Sequence, residues 1–172
     1  TGVKVRFLSE EELPIFRSFM EDTSETKDFA DRDDSFYYNR FKHYKDRVLV
    51  PLAYINFDEY IEELNNERNV LNKDYNKALK DIEKRPENKK AHNKKENLEQ
   101  QLDANQQKIN EAKNLNQEHG NELPISAGFF IINPFEVVYY AGGTSNRYRH
   151  FAGSYAVQWK ICLLYTSDAA DE

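Results

Sequence analysis

The residues best placed to do chemistry lie between positions 139 and 155. Val137-Val138-Tyr139-Tyr140-Ala141 reads as a strand, rich in β-branched and aromatic side chains. It is followed by Gly142-Gly143-Thr144-Ser145-Asn146-Arg147-Tyr148-Arg149-His150-Phe151, and then by a helix opening at Ser154. Strand, glycine pair, hydroxyl residues and helix form a layout that suits anion capture. The glycines let backbone approach a phosphate, while exposed N–H groups with Arg147 and Arg149 supply positive charge. A plain strand-to-helix turn with two solvent-facing arginines accounts for the same residues. The segment is not a P-loop, since it lacks G-x-x-x-x-G-K-[ST].

Other chemistries find less support. His43, His92, His119 and His150 show no mutual ligand spacing, and no Cys, Asp or Glu completes a site with them, so no metal is expected. There is no G-x-S-x-G elbow. Asp28, Asp31, Asp33 and Asp34 crowd one loop, but a calcium loop needs D-x-D-x-D-G spacing with a Glu at its twelfth position. The bland reading is a solvated loop in which Asp33 or Asp34 caps the next helix. Trp159 and the many Tyr and Phe residues read as core. No catalytic residue is named by the sequence.

The elements that must position this segment are arranged around a long arm. From Asp58 to Glu118 the chain is almost free of Gly, Pro and aromatic residues, with one interruption at Lys84-Arg85-Pro86-Glu87-Asn88. Before it, Ile61, Leu64, Arg68, Leu71, Tyr75, Ala78 and Ile82 recur in 3-4 spacing. After it, Ala91, Lys95, Leu98, Leu102, Asn105, Ile109, Ala112 and Asn116 do the same. That is the a/d seam of a two-stranded coiled coil. Pro86 lacks an N–H and must end the first helix, so the second folds back along it as a helical hairpin. At ~1.5 Å rise each arm reaches roughly 40–45 Å.

The hairpin returns the chain to where it left. Val48 to Ile55 enters it and Leu123 to Ile132 leaves it, and both read as buried strands that can be neighbours in one sheet. Upstream, Val3 to Leu8 alternates as a strand, and Ser9-Glu10-Glu11-Glu12 has the capping-box form. Pro14 at a first helical position is the alternative helix start. Leu13, Phe16, Phe19 and Met20 form its apolar stripe. A second helix over Ser35 to Asp46 carries Tyr37, Phe41 and Tyr44 on one face, with Tyr38 and Arg40 at the surface or rim. Asn133-Pro134-Phe135-Glu136 is a turn between strands. The fold class expected is α+β, with residues 1–57 and 121–161 as the globular part and 58–120 as the inserted arm.

At 172 residues the chain has one domain's worth of length, and about a third of it lies in the arm. A net charge of −6 argues against a surface coated with basic nucleic-acid contacts. No apolar run approaches the ~18–20 residues that span a bilayer, so no transmembrane segment is expected. Cys162 is the single cysteine, which rules out an internal disulfide and gives no sign of secretion. The beginning at Thr1, mid-approach to a strand, suggests a fragment. The tail from Cys162 to Glu172 reads like the translation of a transposon-end sequencing adapter. It is set aside from fold reasoning and expected to make no tertiary contacts.

Three runs carry a resemblance. Gly2-Val3-Lys4-Val5-Arg6-Phe7-Leu8, then Arg47 to Ile55 leading into the hairpin, then Tyr139-Tyr140-Ala141-Gly142-Gly143-Thr144-Ser145 followed by Tyr155-Ala156-Val157-Gln158-Trp159 resemble the Fem aminoacyltransferases. The resemblance covers Gly2 through about Lys160. It implies an acetyltransferase-like domain bearing the inserted hairpin. It implies transfer of glycine from glycyl-tRNA to a lipid-linked peptidoglycan precursor at the inner membrane face, in the cytoplasm, at the second and third positions of the interpeptide bridge. It implies no cofactor, and assembly with itself or other Fem proteins.

Carried over residue by residue, it points to Tyr140, Thr144, Ser145, Asn146, Arg149 and Tyr155 as an acceptor-side polar surface. The chain lacks the acetyltransferase R/Q-x-x-G-x-G/A loop, which argues against acetyl-CoA as donor. It also lacks the family's first domain and its motifs beyond Trp159, so this stretch is expected to be inactive alone. The arm has twelve Lys or Arg against fourteen Asp or Glu, yet at its tip Lys84, Arg85, Lys89, Lys90, Lys94 and Lys95 face only Glu87. That tip suits a tRNA backbone, and equally a solvated turn that keeps the hairpin soluble. A competing reading is a non-catalytic module presenting the arm to a protein, which would need exposed apolar residues such as Val70 and Leu79 outside the seam. A tRNA-synthetase arm is a third, disfavoured because no ATP motif accompanies it.

Overall fold

The protein is described by a computed structural model over residues 2–27 and 32–168. In chain order the elements are β1 (Val3–Phe7), α1 (Leu13–Lys27), α2 (Asp34–Tyr44), β2 (Val48–Leu49), β3 (Pro51–Asn56), α3 (Phe57–Lys84), α4 (Lys89–His119), β4 (Glu122–Asn133), β5 (Glu136–Thr144) and α5 (Gly153–Asp168). Single 3-10 turns occupy Glu10–Glu12, Lys45–Arg47 and Arg149–Phe151. Asp28 and Asp31 of the acidic loop, and residues 169–172 of the tail, lie outside the described residues. Two compact units result: one holds Val3–Ile55 with the chain from Pro124 onward, the other Gly2 with Asn56–Leu123.

The first unit is built on a sheet ordered β1-β3-β4-β2, with β5 on β4. The strands that enter and leave the arm, β3 and β4, are therefore neighbours. The single strand expected over Val48 to Ile55 is in fact two. Val48 and Leu49 pair with Ile131 and Phe130 of β4, whereas Pro51 to Ile55 pair with β1. Both pieces lie beside β4, and β3 gains β1 as a second neighbour; Pro51, with no N–H to give to a ladder, stands where the two pieces divide.

One face of the sheet is covered by α1 and α2. Leu13, Phe16, Phe19 and Met20, the stripe read from the sequence, are all buried against Tyr37, Val50, Leu52 and Phe129. Phe16, Tyr37 and Phe129 meet with ring centroids 5.0 to 5.7 Å apart. Burying side chains of this size contributes about 1.5–3 kcal/mol each. The two candidate starts for α1 combine. Ser9 N–H donates to Glu12 Oε2 at 3.0 Å and closes the 3-10 turn, while Pro14 falls in the first turn of α1, where its missing N–H is not needed. Asp33 caps α2 by accepting from Phe36 N–H at 2.9 Å.

The opposite face takes α5 through Val157 and Ile161, both buried. Trp159, read as core, is instead 65% exposed. Spacing explains it: the residues turned inward are Gly153, Val157 and Ile161, so Tyr155, Trp159 and Leu163 share the outer side. The expectation that the tail lacks contacts is also corrected. The helix continues through Asp168, and Leu164 and Tyr165 join Phe7, Leu49, Ile132, Val137 and Ile161 around an apolar hollow of about 300 Å³.

In the second unit α3 and α4 lie side by side. Asn105 Nδ2 donates to Leu64 O at 3.1 Å, Arg68 Nη1 to Leu102 O at 2.9 Å, and Tyr75 Oη to Glu99 Oε1 at 2.8 Å. Partners descend on one helix as they ascend on the other, so the pair is antiparallel. Every residue named for the seam is buried or half-buried. Near the base Leu115 is more deeply buried than Asn116, a one-residue drift that 3.6-residue turns impose on a seven-residue pattern. Asn56 and Asn88 cap the two helices, accepting from Glu59 and Ala91 N–H groups. The open ends are tied where Phe57 N–H donates to Asn121 O at 2.9 Å and Asp58 N–H to Asn121 Oδ1 at 2.8 Å.

Candidate ligand-binding cavity

The glycine pair is not in a loop. Gly142 and Gly143 belong to β5 and sit opposite Gly128 and Ala127 of β4, so the expectation of loop amides free to cradle an anion is corrected. The glycines serve close packing. A Cβ on Gly143 would run into the Phe19 carbonyl and lie 2.7 Å from Thr23 Oγ1, which is why α1 can approach the strand. A Cβ on Gly142 would strike the Tyr139 hydroxyl and lie 2.9 Å from Ala127 O.

A bulge sets the faces of β5. Phe129 pairs with Ala141 and the next residue of β4, Phe130, pairs with Tyr139, which leaves Tyr140 as the extra residue. The Tyr139 ring lies 5.0 Å from Phe130, on the α5 side. Tyr140 goes the other way, with its ring 5.6 Å from Phe36 of α2 and 6.3 Å from Phe129.

Beyond the bulge, where β5 ends and α5 begins, a cavity of about 370 Å³ opens. Thr23, Thr144, Asn146, Arg149 and Ser154 give it a polar wall, and Tyr139 and Tyr155 an aromatic one. Ser126 holds the rim: its hydroxyl donates to Gly143 O at 2.9 Å and lies 2.8 Å from Thr144 Oγ1. The turn into α5 is fixed by Ser145 N–H on Ile125 O and Ala152 N–H on Arg149 O. Burial raises the pKa of Tyr139, which keeps its phenol protonated and able to donate. The lining contains one guanidinium, hydroxyls and an amide, with no Asp, Glu, His or Cys among the described residues. Such a wall can grip a carboxylate, phosphate or peptide group and fix its orientation. It has no base to take a proton.

Four of the six residues singled out in the sequence, Thr144, Asn146, Arg149 and Tyr155, meet in this wall. Ser145 lies beside it with its N–H used by Ile125, and Tyr140 is on the other face of the sheet. Arg147, paired with Arg149 in the anion reading, lies with its guanidinium 5.3 Å from the Tyr148 ring and outside the lining. Sequence reasoning missed Tyr139, Thr23 and Ser154. Only knowledge of the bulge would have exchanged Tyr140 for Tyr139.

At the arm's turn, Lys84, Arg85, Lys89, Lys90 and Lys94 are exposed. Lys95 differs. Its Nζ lies 3.1 Å from Glu99 Oε1, the oxygen that also accepts from Tyr75. That interaction raises the Lys95 pKa, and the Tyr75 and Lys95 hydrogen bonds lower that of Glu99. Lys95 therefore belongs to the seam and not to the basic tip. Among the described residues no group of three His, Cys, Asp or Glu could hold a metal ion, and no helix is long and apolar enough to cross a membrane.

Comparison with known proteins places the chain. The FemAB family matches residues 1–166. The chain belongs to the FemAB family. Over 160 residues it is 98% identical to a protein named Aminoacyltransferase FemA from Staphylococcus epidermidis, and 85% identical to that of Staphylococcus aureus. In each case 93% of this chain is covered but only 38% of the relative, so the chain spans well under half the length of the FemA proteins it matches. A crystal structure of FemX superposes with a TM-score of 0.84 at 23% identity, over 97% of this chain and 42% of that one. At that identity the likeness speaks for the mixed helix and antiparallel-sheet fold alone.

Proposed function

We propose that the chain is part of an aminoacyltransferase that moves glycine from glycyl-tRNA onto a lipid-linked peptidoglycan precursor, extending the interpeptide bridge at its second and third glycines. The observation that carries this reading is the 98% identity to a protein named Aminoacyltransferase FemA. In it, residues 1–57 and 121–161 form an acetyltransferase-like head and 58–120 a coiled-coil arm, working in the cytoplasm at the membrane face, alone or with other Fem proteins.

The chemistry suits a wall without acid or base. An aminoacyl ester is already activated, and a glycine amine has a pKa near ~8. The amine nitrogen attacks the ester carbonyl, the C–N bond forms, the C–O bond to the ribose breaks, and the amine's proton leaves with the ribose oxygen or solvent. Positioning and oxyanion stabilisation can meet much of that barrier. Arg149, Asn146, Thr144 and Tyr155 would hold the acceptor, and the tip cations Lys84, Arg85, Lys89, Lys90 and Lys94 the tRNA backbone.

The test uses the full-length protein that contains this chain, glycyl-tRNA, and a precursor bearing one glycine. Mass spectrometry should find two further glycines on the product. A precursor left unextended under conditions where the tRNA stays charged would overturn the reading.

A further inference from the structure

Two threonines reach the cavity from different elements, Thr23 from α1 and Thr144 from the end of β5. Both stand against Gly143. Thr144 follows it in the chain, and Thr23 Oγ1 lies 2.7 Å from where a Cβ on Gly143 would be.

A hydroxyl has one proton to donate and two lone pairs to accept with, and a carbonyl oxygen can only accept. Thr23 Oγ1 donates to Phe19 O at 2.7 Å, so its proton is spent inside α1. Ser126, 2% exposed, donates to Gly143 O at 2.9 Å, so its proton is spent as well. The 2.8 Å contact between Ser126 Oγ and Thr144 Oγ1 must then carry the proton of Thr144. Both threonine oxygens are left with lone pairs alone for whatever enters the cavity. Buried Ser126 fixes that polarity for Thr144 without lining the cavity itself.

The rest of the wall has the opposite character. Arg149 can only donate, and no carboxylate stands in the lining among the described residues. A cation nearby with no anion to balance it favours a neutral amine over an ammonium. A neutral primary amine carries two N–H bonds and one lone pair. Its two donors match the two acceptor oxygens.

We propose that Thr23 and Thr144 form an acceptor pair for the two N–H bonds of a glycine α-amine, with Arg149 left to the carbonyl end of the same glycyl group. This rests on the aminoacyltransferase reading, which brings two such amines to the protein: the terminal glycine of the precursor and the glycyl group of the ester. An amine held by both hydrogens has its lone pair turned away from the pair. A site built on two hydrogen bonds rejects a ligand that lacks one, because an acceptor is then left unpaired.

The experiment uses the full-length protein and methylates one amine at a time, in a precursor ending in N-methylglycine or in N-methylglycyl-tRNA. Each is compared with its unmethylated form as a ratio of kcat/KM. For whichever substrate supplies the amine, the parent should prefer the unmethylated form by about tenfold. Thr144→Val and Thr23→Val keep the shape without the oxygen and should bring that preference close to one. Thr144→Ser should keep it. Ser126→Ala, which frees the Thr144 proton, should lower it, a change in ratio that a merely structural role for Ser126 would not produce. Equal use of methylated and unmethylated forms of both substrates by the parent would overturn the pair. So would a preference that survives in both valine variants, since it would then be steric. If the parent transfers no glycine between the unmethylated substrates, the aminoacyltransferase reading falls, and the pair is judged on glycinamide alone. The methyl resonances of Thr23 and Thr144 should then shift with glycinamide and much less with N-methylglycinamide, and equal shifts would overturn it.

Discussion

Tyr139 and Thr144 share one face of β5 and one cavity wall although five positions separate them, an odd interval that a regular strand would place on opposite faces. The extra residue at Tyr140 restores them to the same side. A slip of one residue inverts every side chain beyond it, so this single irregularity decides what the cavity is made of.

Gly143 is the point of closest approach between that strand and α1. Gly143→Ala should destabilise the protein by about 1–3 kcal/mol, because the new methyl meets main-chain atoms of Phe19 that cannot rotate away. Thermal melting of the two proteins checks it. An unchanged midpoint would mean that α1 can retreat without cost.

In the arm, Asn105 is 3% exposed, and its Oδ1 is buried without a hydrogen-bond partner while its Nδ2 serves Leu64 O and Glu67 Oε2. Asn105→Leu should raise stability by about 1 kcal/mol, since the orphaned oxygen is removed along with the donor. The same change should loosen the helix register, because a polar seam residue discriminates between alignments that leucine would tolerate. Denaturant melts report the first effect. Spin-label distances between α3 and α4 report the second, as a broader distribution.

Acid should unclip both units at the carboxylates. The Ser9 N–H and Arg6 hold the Glu12 pKa below 4.5, and Tyr75 and Lys95 do the same for Glu99. For a depressed carboxylate the unfolded chain binds protons first, so the stabilisation is full above 4.5 and is lost as pH falls through the lower folded value. Glu12→Gln and Glu99→Gln should each flatten the acid limb of a melting-temperature profile while changing little at neutral pH beyond a constant offset. A parallel limb in both variants would assign acid sensitivity elsewhere.

The arm's cations should separate by function. In the full-length protein, Lys89→Gln, Lys90→Gln and Lys94→Gln together should shrink the log–log salt slope of tRNA binding by roughly 0.7–0.9 for each phosphate that is no longer neutralised. Lys95→Gln should leave that slope alone, because its ammonium is engaged by Glu99. An unchanged slope in the triple variant would assign the tip to the solvated-turn reading.

Much of this was legible in the residues. The seam from Ile61 to Asn116 shows because helix periodicity is written locally and repeats over many turns, and Pro86 marks the reversal. The adjacency of β3 and β4 follows from the antiparallel return. Tyr139 was not legible, since a bulge has no pattern of its own and is visible only in the pairing of two strands. Trp159 misled because an aromatic residue is usually buried, whereas here Gly153, Val157 and Ile161 had already taken the inner side of α5. Thr23 reaches the cavity from the far end of α1, a juxtaposition that no local spacing encodes.

The bond from Phe57 N–H to Asn121 O also bears on the order in which the chain folds. Pairing β3 with β4 across an open chain of this length carries the loop-closure entropy of more than sixty residues. Once α3 and α4 have zipped, that same bond holds the two strand ends a hydrogen bond's length apart, and the pairing becomes as local as that of an ordinary β-hairpin. The arm then acts as an intramolecular splint, and the sheet should wait for it. Refolding kinetics would show this as a helical signal that rises before the protection of β4 amides, and variants that weaken the middle of the seam, such as Leu98→Ala, should slow sheet formation as well as arm formation.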